Sequence, residues 1–246
     1  MRKIREIGEH SVYVPGLKAG GDLLDVGANR GRFGAEIAAE FPVNVISVEA
    51  NPCLAALFRQ QGIEVVECVL GATDGSVEFN IGHNDEASSI RMPQTGNAHL
   101  TVKETVRVDM KSLHTVLEEQ AISGVACVKL DIEGGEIDVL MSIGACASQI
   151  APQWSVEFHD GLEFGLCKRA EVNAAISEMK LGGFSVLIRN WPARTNVLFV
   201  NRKSLSIGLL EWVALKFRYQ YLALVWRKYV ELRHRETGAC FSSRSR

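Results

Sequence analysis

None of the six cysteines forms a CxxC pair, and Cys53, Cys68, Cys127, Cys146, Cys167 and Cys240 show no clustered ligand spacing. That argues against a structural zinc site. A chain of 246 residues can bury a sizeable core without disulfide staples, so reduced thiols in core positions are expected. Prolines are few, six in all, and 47% apolar against 23% charged residues excludes global disorder. The opening run MRKIREIGEHSVYVP has no long apolar core and no small-residue cleavage site. No secretory signal is read there, and a cytoplasmic setting is expected. Two phosphate-binding signatures are missing as well. No Gly-Lys-Ser/Thr follows the first glycine loop, and the first glycine of a GxGxxG would fall on Asp25.

Charge is present but unevenly placed. Residues 202–246 carry ten basic and three acidic side chains, a net of +7, while residues 1–201 carry 17 and 26, a net of -9. An acidic body repels phosphate, so no nucleic-acid partner is expected. The composition shift suggests three regions: an N-terminal extension over 1–19, a main domain over 20–201 and a basic, apolar tail over 202–246.

The main domain reads as α/β. Leu23-Leu24-Asp25-Val26 is a short apolar strand, followed by the tight loop Gly27-Ala28-Asn29-Arg30-Gly31. Phe33, Ile37 and Phe41 then share a helical face. Val43 to Glu49 predicts a second strand. Asn51 and Pro52 cap and start a helix that Gly62 stops, and Ile63 to Leu70 predicts a third strand. This βαβαβ run implies a parallel sheet covered on both faces. Ser76 to Ile81 and Thr101 to Val108 alternate as strands do, around an irregular stretch from His83 to His99 that reads as a functional lid or a surface excursion. Leu113 to Glu119 predicts a helix, Cys127 to Glu133 a fourth core strand, Glu136 to Ile143 a helix, and Gln153 to His159 a fifth strand. Arg169 to Lys180 predicts a helix. Phe184 to Ile188 and Asn196 to Val200 predict two strands that could pair antiparallel at the sheet edge.

The tail is apolar with charges inserted. Leu209, Trp212, Val213, Phe217 and Leu224 can share a helical face, with Leu210, Tyr221, Val225 and Trp226 around it. Glu211, Lys216, Arg218 and Gln220 within that stretch disfavour a spanning helix. A helix packed on the body or on a second subunit, a helix lying on the inner membrane face, and contact with another partner all remain open for 205–230.

Ligands of an open parallel sheet sit beyond the carboxyl ends of its strands. Four chemically loaded segments fall there. The glycine loop lets backbone approach a ligand. Glu49 stands where an acid would accept from ribose hydroxyls. Lys129, Asp131 and Glu133 alternate onto one face of their strand, with Glu136 following the Gly134-Gly135 turn. Glu157 and His159 share a face at the end of the next strand. Carboxylates converging in this way need a cation, a lysine or solvent beside them. An imidazole among them could accept a proton or help bind a divalent metal. Together these segments frame a cationic or neutral nucleoside beside a reacting group.

These residues resemble the FkbM family of S-adenosylmethionine-dependent methyltransferases. The match rests on Asp25 to Gly31, Glu49-Ala50-Asn51-Pro52, Ser76 to Phe79, Val106 to Asp109 with Leu113, Val128 to Glu136 with Val139-Leu140, and Val156 to His159. The run from Lys129 to Leu140 is the most specific. The likeness covers about residues 20–200 and leaves out the tail. It implies a class I methyltransferase fold, a Rossmann-like three-layer sandwich with seven strands ordered 3-2-1-4-5-7-6, the seventh antiparallel, followed here by a C-terminal helical tail. It also implies that Asp25, Gly27, Ala28, Asn29, Gly31, Glu49, Ala50, Cys68, Leu70, Gly71 and Asp131 contact S-adenosylmethionine, with Cys68 to Ala72 bordering the adenine. Family members resembling this one typically methylate hydroxyl oxygens of sugars or natural products.

The expected mechanism aligns an acceptor oxygen with the activated methyl and removes its proton. His159 is the first candidate base and Glu133 the second. Asp131, Glu136 and Glu157 would orient acceptor or base. Asp131, Glu133, Glu157 and His159 are the candidate ligands of a divalent metal. Ser88, Ser89, Lys129 and His159 would contact the acceptor, a hydroxyl-bearing small molecule, glycan or glycolipid. An NAD-linked oxidoreductase and a non-catalytic, cofactor-binding assembly protein are the alternatives.

Overall fold

The computed structural model describes residues 3–83, 88–91, 101–159, 168–189 and 195–222. Most of the stretch from His83 to His99, most of the linker after Arg189 with Pro192, and the tail positions Leu224, Val225 and Trp226 lie outside the described residues. In chain order the strands are β1 (Ile4–Ile7), β2 (His10–Tyr13), β3 (Gly21–Val26), β4 (Val43–Glu49), β5 (Val65–Glu67), β6 (Val69–Gly71), β7 (Gly75–Gly82), β8 (Val102–Ser112), β9 (Val125–Leu130), β10 (Gln153–Glu157), β11 (Ser185–Ile188) and β12 (Asn196–Val200). The helices are α1 (Arg32–Glu40), α2 (Pro52–Gln60), α3 (Leu113–Glu119), α4 (Glu136–Ile143), α5 (Ala147–Ile150), α6 (Arg169–Leu181) and α7 (Leu209–Lys216).

Seven strands form one sheet in the order β11-β12-β10-β9-β3-β4-β5. Counting only these strands in sequence, the order is 3-2-1-4-5-7-6, as the resemblance implied. β12 runs antiparallel to both β10 and β11, while β10, β9, β3, β4 and β5 are mutually parallel. The fold is therefore a Rossmann-like α/β sandwich. A second sheet, β6-β8-β7, stands beside the first. The expected strand from Ile63 to Leu70 is thus divided: β5 pairs with β4, and after Cys68 the chain leaves the main sheet to pair with β8.

The alternation along each strand decides what each face buries. Leu24, Val26, Val128, Leu130, Trp154, Val156, Val197 and Phe199 pack with side chains of α3, α4 and α6 on one face. On the other, Leu23 and Cys127 pack with Phe33 and Ile37 of α1 and with Ile7 and Val12 of the β1–β2 hairpin. Leu187, Leu198 and Val200 meet Tyr13, Trp212 and Tyr219 there. Trp212 thus points into the body, correcting the expectation that it shares a face with Leu209, Val213 and Phe217, which are exposed.

Strand β2 of the hairpin lies against β10 and β12. Gln153 accepts from the Tyr13 backbone N–H at 2.8 Å and donates to the Tyr13 carbonyl at 3.3 Å, while Ser155 Oγ accepts from the Ser11 N–H at 3.1 Å. Polar residues on that face of the sheet therefore have polar partners in the hairpin. Cys53, Cys68, Cys127 and Cys146 are free thiols.

Candidate functional site

The strand order reverses direction at β3, which has β4 on one side and β9 on the other. Ligand crevices of open α/β sheets form at this kind of switch. A cavity of about 600 Å³ opens there, lined in part by Gly27, Ala28, Asn29, Glu49, Lys129 and Asp131. Its size suits a nucleoside-sized ligand.

Gly27 begins the loop after β3 with φ of +73° and lies so near the next strand that a Cβ would come within 1.7 Å of the Asp131 carbonyl oxygen. Its own carbonyl accepts from the Lys129 ammonium. Asn29, also left-handed, gives its N–H to Glu49 at 2.7 Å. Glu49 accepts from the Asn51 N–H at 2.8 Å as well. Burial pushes its carboxyl above the usual range, against those two bonds. A carboxylate has about four lone-pair sites, so Glu49 retains capacity for a ligand's hydroxyls. Ala50, Cys68, Leu70, Val69, Phe79 and Ile90 supply apolar wall, and Val69 and Phe79 belong to a small core with Val108 on the β6-β8-β7 sheet.

The reacting end is built differently from the sequence reading. β9 stops at Leu130, so Glu133 is not in a strand. It lies in a left-handed turn, φ +54°, before Gly134 at φ +101°. Glu136, at the start of α4, reaches back to accept from the Ile132 and Gly134 N–H groups and is wholly buried. The turn sets three carboxylates around His159. Its Nε2 lies 3.2 Å from Glu133 and 3.8 Å from Asp131, and its Nδ1 lies 3.3 Å from Glu136. Burial works against a charged imidazole, but Glu136, Glu133 and Asp131 prevail and push His159 up to about 10. Burial carries Glu133 to about 8. Glu157 reaches about 7, through burial and then the Asp131 charge.

Lys129 is buried with its ammonium 3.4 Å from both Asp25 and Asp131. Burial favours the neutral amine, but Asp131 and Asp25 hold Lys129 charged. Burial likewise works to raise Asp131, and Lys129, His10 and His159 instead keep it well below the ordinary carboxylate range.

Of the expected site residues, Gly27, Ala28, Asn29, Glu49, Ala50, Cys68, Leu70, Ser88, Lys129, Asp131, Glu133, Glu157 and His159 line the cavity. Five lie behind its wall. Asp25 accepts from the Gly34 N–H at 3.1 Å. Gly31 faces Phe58, and Gly71 backs onto Met110. Ser89 donates to the Glu133 carbonyl, and Glu136 supports its turn. Several cavity residues escaped the sequence reading, among them Glu9, Val69, Phe79 and, in contact with the acids, His10. His10 of β2 is buried, with Nε2 3.2 Å from Asp131 and 3.8 Å from Glu157 and Nδ1 3.1 Å from Ser155 Oγ. A lone histidine in a short N-terminal run carries no local signal; only the hairpin's docking brings it to β9 and β10.

Among the described residues, two groups could hold a metal ion: His10 with Asp131 and Glu157, and Asp131 with Glu133 and His159. The ligand atoms of each group lie within 4.8 Å of one another. An oxygen-rich set with one imidazole suits a hard divalent ion, which would polarise an acceptor oxygen. Lys129 and His159 already bring positive charge to the same carboxylates.

The family described as "Methyltransferase FkbM domain" matches residues 25–185. The chain is 24% identical to the methyltransferase sdnD of Sordaria araneosa, over 55% of this chain and 65% of that protein, so it spans just under two thirds of that relative's length. Among solved structures it is similar to a SAM-dependent methyltransferase of Aquifex aeolicus, at 10% identity and a TM-score of 0.36 over 76% of this chain and 84% of that one. It is also similar to EvdMO1, at 13% identity and a TM-score of 0.35 over 75% and 38%. The family match reaches from the end of β3 to the start of β11 and encloses the loop, the acids and His159. The chain belongs to the FkbM family of methyltransferases, enzymes that take their methyl group from S-adenosylmethionine.

Proposed function

We propose that the chain is an O-methyltransferase acting on a hydroxyl of a sugar, glycan, glycolipid or natural product. The observation that carries this reading is the meeting of Asp131, Glu157 and His159 in the same cavity as Glu49. When bound, S-adenosylmethionine, a sulfonium, would supply an electrophilic methyl to the acceptor oxygen, its sulfur leaving as a neutral thioether. Carboxyl groups of Glu49, Asp131, Glu133 and Glu157 line the cavity, and Asp131, held ionised by its neighbours, is the one to face that cation. Glu49 would receive the ribose hydroxyls, and the wall of Val69, Leu70 and Phe79 would pack the adenine.

An alcohol holds its proton far above neutral pH and needs a base as the new bond forms. His159, pushed up to about 10, is an imidazolium at neutral pH and acts as a donor that orients carboxylates and acceptor. The proton acceptor is instead Glu157. It lines the cavity and, at about 7, is partly ionised under working conditions. His10 is placed to fix Asp131. Ser155 Oγ accepts from Ser11 and can give its own proton to Nδ1, which leaves the His10 Nε2–H for Asp131.

The test is incubation of the purified chain with methyl-labelled donor and panels of hydroxylated and amine-bearing acceptors. Label recovered in a methyl ether is expected. Label found only on nitrogen would replace this reading with N-methyl transfer.

A further inference from the structure

A helix packed on a soluble body is expected to be apolar inward and polar outward. The segment formed by α7 and the π-helical turn Phe217–Leu222 departs from that pattern. Its inner side is anchored: Trp212 and Tyr219 are buried against Tyr13, Leu187 and Leu198, and Glu211 accepts from Lys3 at 2.6 Å and from the Tyr13 hydroxyl at 2.7 Å. Its outer side is apolar too. Leu209 is 66% exposed, Leu210 87%, Val213 56%, Phe217 55% and Tyr221 50%. Scattered exposed hydrophobes are ordinary, but a contiguous row marks an interaction surface. Leu209, Val213, Phe217 and Tyr221 recur every four residues, with Leu210 beside them.

The setting of the row is basic. Among the described residues 202–222, Arg202, Lys203, Lys216 and Arg218 stand against Glu211 alone, and Lys203 and Arg218 are exposed. We propose that this face docks the protein on an anionic lipid bilayer. The five apolar side chains would enter the boundary between headgroups and acyl chains, and the basic residues would meet the headgroups. Such a bilayer offers apolar and negative surface together. A second copy docked through the same face would instead bring two net-positive segments together. The face is also tied to the cavity: the Tyr219 and Ser11 hydroxyls hydrogen-bond, and Ser11 follows His10 on β2.

The full chain is tested by flotation with vesicles of mixed phosphatidylcholine and phosphatidylglycerol, and with vesicles of phosphatidylcholine alone. Binding to the mixed vesicles, weakened by high salt, is expected. The double variant Leu210→Glu, Phe217→Glu should lower the bound fraction by about tenfold or more. Both side chains are exposed, so its affinity for S-adenosylmethionine should match that of the parent and show that the fold is intact. Failure of the parent to float with the mixed vesicles would overturn the proposal, as would parent-like flotation of the variant. A parent dimer that ignores vesicles and is separated by the double substitution would make the face an interface between copies of the chain.

Discussion

His10 and Asp131 are 121 positions apart and meet at 3.2 Å, Nε2 to Oδ2. The hairpin and the end of β9 build this contact jointly, and it sets the direction of the Asp131 carboxylate in the cavity. His10→Ala should lower kcat by about tenfold or more, since correct placement is a large part of such catalysis. His10→Gln, which keeps a donor, should recover part of that loss. Affinity for S-adenosylmethionine, read by calorimetry, should change by less than about threefold in both. Equal losses in the two variants would sink the positioning role.

Glu49 holds two backbone N–H groups and faces the cavity from the end of β4. Glu49→Ala should weaken S-adenosylmethionine binding by about tenfold to a hundredfold, the worth of hydrogen bonds to a charged group. Unchanged affinity would remove it from the ribose position.

Gly27 has no room for a side chain, because a Cβ would press into the Asp131 carbonyl, and its φ of +73° resists any L residue. Gly27→Ala should cost about 2–4 kcal/mol from strain and overpacking. For a chain of this size that corresponds to a fall in Tm of about 5–15 °C, measured by circular dichroism. A fall of only a degree or two would mean that the loop relaxes freely.

Stability of the ligand-free protein should fall as pH rises above neutrality. His159 is raised to about 10 by Glu136, Glu133 and Asp131 in spite of burial, and Glu133 to about 8 chiefly by burial. A group with a raised folded pKa binds protons more tightly when folded. Its contribution is therefore complete below the unfolded pKa and lost as pH passes the folded one. The window runs from about 4.5 to 8 for Glu133 and about 6.5 to 10 for His159. Denaturant melts between pH 6 and 10 should show this decline, and His159→Gln should flatten its upper part. A stability that climbs through this range would contradict the ionisation states assigned to the cluster.

Chelation separates the two ways of balancing the carboxylates. Lys129 lies 3.4 Å from Asp131, and His159 contacts Glu133 and Glu136, so methyl transfer should persist within about twofold after exhaustive EDTA treatment, these two cations meeting the charge. Activity that disappears and returns with Mg²⁺ or Mn²⁺ would place an ion on the His10 or the His159 group.

Local pattern is enough to read the parallel strands. In β3, Leu24 and Val26 alternate with Leu23 and Asp25, and both sets are buried against different partners. Helix limits follow the same rule, because Asn51 caps α2 and Leu113–Glu119 is a complete amphipathic turn pair. The division at Cys68 was not legible, because an apolar run from Ile63 to Leu70 looks the same whether one sheet or two receive it.

The α/β architecture, the loop after β3 and the acids at the strand ends were legible in the amino-acid order, since periodicity and short spacings record which side chains leave a strand together. Folding in three dimensions was needed to bring His10 to the cavity, to set Asp25, Gly31, Gly71, Ser89 and Glu136 behind its wall, and to surround His159 with Glu133, Glu136 and Asp131. Those facts depend on contacts between residues far apart in the chain and on burial, and neither leaves a periodic trace in the order of amino acids.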